Sequence, residues 1–186
     1  MSTYKQSIPQ ADTLMGSMRS MGYSFEAAIA DVIDNSISAN CNVVKLFFPS
    51  EPTDELVVGI LDDGEGMPAD VLFEAMRYGS TDSELERRAN DLGRFGLGMK
   101  SASLSQCRIL TVVSLYADKL SSYSWDFNCI QKRKEWIVKE LSQTEIKSLP
   151  YIDSLLELSH GTLVLWQDFD VLEKSSGGIV YDALVD

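Results

Sequence analysis

Residues 24–40 read SFEAAIADVIDNSISAN. Phe25, Ala28, Ile29, Val32 and Ile33 recur at i, i+3, i+4, i+7 and i+8, which predicts a helix with one buried face. Ser24 is placed to cap its start. Asp31, Asn35 and Ser38 recur at i, i+4 and i+7 on a different face, with Asp34 beside them. Surface helices ordinarily carry Glu, Lys and Arg, and Asp and Asn are poor formers of a helix interior. A helix that buries one side and lines another with carboxylates and an amide points to chemistry. The plainer alternative is a solvated face with a ragged C-terminal end.

Upstream, residues 1–11 read as a loose arm. The pattern predicts a short helix over residues 12–21, with Leu14, Met15, Met18 and Met21 inward and Gly22 ending it. Downstream, VVKLFF (43–48) and LVVGIL (56–61) read as strands. DDGEGM (62–67) leaves the second strand directly, and Pro68 suits the first turn of a helix over 69–76. Glycine at 64 and 66 lets the backbone bend and a flat ligand approach. A tight strand–helix turn is the simpler explanation. The order of acidic residues does not fit a calcium loop.

RYGSTDSELERRAND (77–91) is polar and charged, reads as a solvated face, and has a length that suits a mobile cover. GRFGLGMKS (93–101) then runs into a helix. Glycine-rich backbone entering a helix N-terminus is suited to an anion, because free N–H groups and the helix dipole face it. The residues cannot be aligned as a Walker A loop. Antiparallel strands are expected at 108–116, 120–128, 135–141 and 161–169. Residues 143–158 are helical or irregular, interrupted by Pro150, and the tail after Glu173 reads as a flexible end.

The 186 residues bear 16 basic and 28 acidic side chains, a formal charge of −12. Residues 1–76 alone hold 3 basic and 12 acidic groups. Phosphate neutralisation requires Lys and Arg, so direct nucleic-acid binding is not expected. An anion bound here needs a metal or backbone N–H groups to offset the chain's own field. No apolar run approaches a membrane span or a signal-peptide core. Cys41, Cys107 and Cys129 form no C-x-x-C pair, which suggests reduced thiols and a cytoplasmic location. The only histidine, His160, reads as a loop residue.

The order D-x-x-D-N on a helix, D-x-G-x-G after a strand, G-x-x-G-x-G before a helix and G-T on a late strand resembles the GHKL ATPases. This superfamily includes type II topoisomerase ATPase subunits, MutL proteins, heat-shock chaperones and histidine kinases. The motifs span residues 31–162. DNSISAN and GRFGLGMKSAS are most similar to MORC-type and related bacterial ATPases.

The resemblance implies an α+β Bergerat fold: a two-layer sandwich of a mixed, mainly antiparallel sheet with helices on one face. It implies that residues 1–186 form one ATP-binding domain, the N-terminal part of a longer protein. ATP and Mg²⁺ are the implied cofactors, ATP and ADP the ligands, and a nucleotide-dependent homodimer the implied assembly. Carried over residue by residue, Asn35 would coordinate Mg²⁺, with Asp34 at the acidic position before it. Asp62 would accept a hydrogen bond from the adenine amino group, with Gly64 and Gly66 permitting the approach and Met67 packing on the base. Gly93, Gly96 and Gly98 would cradle phosphate, Lys100 would assist, and Thr162 would support the adenine end.

Asp31 would act as the catalytic base. Hydrolysing members commonly have Glu there, and the shorter Asp implies slow conversion of ATP to ADP and phosphate. Many of them also take a Lys from a following domain. The alternatives are a nucleotide-binding switch without hydrolysis and a histidine-kinase catalytic domain.

Overall fold

The computed structural model describes residues 7–20, 22–49, 56–77 and 98–169. Among these, β1 (Val44–Phe47), β2 (Val58–Asp62), β3 (Cys107–Tyr116), β4 (Lys119–Asp126), β5 (Lys139–Glu140) and β6 (Gly161–Phe169) form one sheet in the order β1-β2-β6-β3-β4-β5. Every described pair is antiparallel, so the expected α+β sandwich is present without a parallel pair among the described strands.

Alternation along the strands builds two cores. Val58, Ile60, Leu110, Val112, Tyr123, Trp125, Val164 and Trp166 face one way. They pack with Ala11 and Met15 of α1 (Ala11–Arg19), Ala28 and Val32 of α2 (Phe25–Ser38), and Leu72 and Met76 of α3 (Ala69–Met76). Ala102 and Leu104 of α4 (Gly98–Gln106) and Phe127 and Ile130 of α5 (Phe127–Arg133) complete this layer. Burying each large side chain contributes roughly 1.5–3 kcal/mol. Leu61, Val113, Leu115, Leu163 and Leu165 face the other way, against Ile146, Ile152 and Leu155. Those three come from α6 (Gln143–Lys147) and α7 (Ile152–Leu156), so two short helices also cover the second face.

The organising helix forms as its sequence dictates. Ser24 Oγ accepts from Ala27 N–H at 3.2 Å and caps it. Its most buried line is Ala28, Val32 and Ser36, at i, i+4 and i+8. Phe25 and Ile29 pack alongside it. α1 buries Ala11, Met15 and Met18, while the expected inward Leu14 is 38% exposed; Met21 lies outside the described residues.

Two expected strands differ. The strand over 120–128 stops at Asp126, whose side chain accepts from Cys129 N–H at 3.0 Å and caps α5, so Phe127 and Asn128 are helical. The strand over 135–141 contracts to Lys139 and Glu140, paired with Ser124 and Tyr123. Trp136, Ile137 and Val138 instead pack against the core, with Trp136 edge-on to Trp125 at 6.2 Å. No helix among the described residues is long and apolar enough to cross a membrane.

Candidate functional site

β2 enters the sheet core and ends on Asp62, a carboxylate only 5% exposed. A buried carboxylate must have hydrogen-bond donors. Ser36 O–H donates to its Oδ2 at 2.9 Å, and Gly64 N–H donates to its Oδ1 at 2.9 Å. Burial pushes the Asp62 carboxyl above the ordinary carboxylate range, against the lowering effect of Gly64, Ser36 and the Thr162 backbone. Asp63 behaves oppositely. Its exposed carboxylate accepts from Val43 N–H at 2.8 Å and Asn42 N–H at 2.7 Å, which hold it below that range.

Asp62 pairs with Thr162 on β6, and Thr162 pairs with Ser114 on β3. The three residues stand in one row across three strands. Since residues on one strand alternate faces, they share the face of Ile60, Val112 and Val164, the one that packs against α1 to α5. Ser114 is fully buried. Its Oγ accepts from Met67 N–H at 2.7 Å, and its own proton points to the Gly161 carbonyl at 3.4 Å. Ser114 thereby ties the far end of the DDGEGM loop to the sheet, with Met67 packed on the core.

The glycines of this loop answer to the protein's own backbone. Gly66 has φ +67°, and a Cβ there would lie 2.3 Å from the Leu115 carbonyl oxygen. A Cβ on Gly64 would lie 2.9 Å from both the Ala39 carbonyl oxygen and Asp62 Oδ1. Ala39 follows α2 directly, and Glu65 N–H donates to its carbonyl at 3.0 Å. Asn40 Nδ2 donates to Glu65 Oε1 at 2.8 Å. The end of α2 and the loop after β2 are therefore joined at several points.

The structure brings Asp62, Gly64, Gly66, Met67 and Thr162 together at one end of β2, β6 and β3. Asn35 lies on α2 immediately before Ser36, on an exposed surface. Its Nδ2 donates to the Asp31 carbonyl, which leaves the amide oxygen as the atom free to accept. Asp34 is exposed and Asp31 half-buried on the same helix. An amide oxygen is the kind of hard ligand Mg²⁺ takes while it keeps several waters, and no cluster of three or more His, Cys, Asp or Glu side chains that could hold a metal occurs among the described residues.

Gly98 is the first residue of α4; Gly93 and Gly96 lie outside the described residues. Lys100 is only 2% exposed, and Nζ donates to the Ala75 carbonyl at 2.7 Å and the Arg77 carbonyl at 2.5 Å. It joins the start of α4 to the end of α3, and burial lowers it from 10.5 to about 8.

Ser36 and Ser114 are two residues that reading the sequence missed. Ser36 carried a signal, since it continues the buried line of Ala28 and Val32 and a polar group there requires a partner. Ser114 carried none, because its role depends on which strand lies beside β3.

A family model described as histidine kinase-, DNA gyrase B-, and HSP90-like ATPase matches residues 23–162. That span runs from the residue before the Ser24 cap to Thr162. A comparison with curated proteins finds no match.

Proposed function

The chain belongs to the histidine kinase-, DNA gyrase B- and HSP90-like ATPases, and from that premise we propose that it binds ATP with Mg²⁺ and hydrolyses it slowly. The observation that carries this reading is Asp62: a buried carboxylate fixed by Ser36 and Gly64, in register with Thr162. Such a group suits the exocyclic amino group of adenine, because a purine with a carbonyl there would meet a second acceptor. Thr162 supports the same end, and Met67 packs beside the base.

At the other end, Asn35 would hold Mg²⁺, with Asp34 adjacent. The ion would offset the repulsion between a polyphosphate and a chain of formal charge −12. Gly93, Gly96 and Gly98 would meet phosphate oxygens through backbone N–H groups. Lys100 would act there by holding the start of α4 in place. Asp31 would orient a water and take its proton as oxygen attacks the terminal phosphorus and the bond to ADP breaks.

A nucleotide-binding switch without hydrolysis is the second reading, favoured by Asp31 itself: a carboxylate one methylene shorter than Glu reaches less far, and about 1 Å of misplacement costs on the order of 10²-fold. The polar stretch 77–91 supports a cover that closes over nucleotide and couples to a larger, dimeric assembly. DNSISAN and GRFGLGMKSAS support a place near the MORC-type ATPases.

Thermal melting with Mg-ATP, Mg-ADP and Mg²⁺ alone tests binding. A ligand held only by the folded state raises the midpoint. A rise with both nucleotides is expected, and identical midpoints would contradict the proposal. Phosphate release then separates slow hydrolysis from a switch.

A further inference from the structure

His160, the chain's only histidine, stands one residue before β6 and is placed against the DDGEGM loop. Its Nδ1 lies 2.7 Å from the carbonyl oxygen of Gly64. A carbonyl can only accept, so Nδ1 must carry the proton and donate. Gly64 is thus held from two sides: its N–H is bound to Asp62 Oδ1 at 2.9 Å and its carbonyl to His160. The neighbouring residue Glu65 is fixed in turn to the end of α2. Gly64 lacks a side chain of its own to anchor it, and a Cβ there would strike Ala39 and Asp62. Among the described residues, the imidazole is the side chain that grips the Gly64 carbonyl.

We propose that His160 is a positioning residue of the base-binding end, holding Gly64 so that the Asp62 carboxylate keeps the orientation that receives adenine. This role rests on the proposed function. It concerns the purine rather than the phosphates, because the contact lies at the β2–β6 end of the site. It also fixes the ring tautomer as Nδ1–H and leaves Nε2 as an acceptor.

The test uses the whole chain and two ligands, adenosine and Mg-ATP, titrated into wild type, His160→Leu and His160→Asn. Loss of one hydrogen bond predicts that His160→Leu weakens both ligands by a similar factor of about 3–10. The amide of His160→Asn can donate in place of Nδ1 and should restore most of the affinity, which a purely space-filling role would not require. Because there is a single histidine, a long-range ¹H–¹⁵N spectrum of wild type in mildly alkaline buffer reads its tautomer without assignment. It should show Nδ1 protonated whether or not the variants fold.

Affinities unchanged in His160→Leu, a loss confined to Mg-ATP, or an Nε2–H tautomer would each overturn the role of His160 while leaving the proposed function standing. A wild type that binds neither ligand would overturn both.

Discussion

The two ends of the candidate site, proposed for the base and for the metal, are built in opposite ways. At the base end, Asp62 and Ser114 are buried and every described contact is internal: serine to carboxylate, serine to backbone, histidine to carbonyl. At the metal end, Asp34 and Asn35 are exposed, and Asn35 is tied only to its own helix among the described residues. The contrast has a physical logic. A purine is recognised by shape and by one or two fixed polar groups, so that end is preorganised. Mg²⁺ carries its own water shell and phosphate ligands, so the protein need offer only an oxygen at the surface. The contrast also predicts different responses to substitution: base-end changes should cost stability, and metal-end changes should cost binding alone.

The largest effect is expected from Gly66→Ala, which puts a Cβ 2.3 Å from the Leu115 carbonyl at φ +67°. Left-handed strain and the clash together should remove about 3 kcal/mol or more of stability, measured by urea unfolding. An unshifted midpoint would mean that the loop backbone yields and this end is not rigidly built.

Next, Asn35→Ala should weaken Mg-ATP by more than about tenfold. It should leave the ligand-free melting point equal or slightly higher, since Ala is the better helix former. A large loss of ligand-free stability would mean that this surface is structural.

Smaller again, Asp31→Glu should preserve or raise phosphate release by several-fold, because the longer carboxylate reaches further toward the water. A complete loss of a measurable wild-type rate would remove Asp31 from the role of base.

The smallest effect concerns pH. Lys100 is lowered from 10.5 to about 8. Between those values the unfolded chain binds more protons than the folded one, so this group makes stability rise with pH across that window and leaves it flat below. Lys100→Met should lack that rise in urea unfolding followed from about pH 7.5 to 10. An identical slope in the variant would place the lysine in contact with water.

What could be read in advance follows the same division. Segments governed by local chemistry were legible: α3 and β6 were expected at their observed limits, 69–76 and 161–169. Asp62, Gly64 and Gly66 could be singled out because D-x-G-x-G directly follows an apolar run. Features set by neighbours distant in sequence were not. Ser114 matters because β6 lies beside β3, and His160 because β6 starts beside the loop that follows β2. The overlong strand over 120–128 was a local oversight, since Asp126 carried a cap signal for α5. Bending of the backbone and access for a ligand were both expected of Gly64 and Gly66. The φ of +67° at Gly66 is such a bend, and the close approach of Ala39 and Leu115 requires glycine at these positions without a ligand.

In the proposed site, Asp62 is the group that reads the adenine base. Calorimetric titration of Mg-ATP into wild type and Asp62→Asn tests it most directly. Saturable binding to wild type is expected, with an affinity about 10- to 100-fold lower in the variant, the worth of a hydrogen bond to a charged acceptor. Equal affinities in two folded proteins would contradict it.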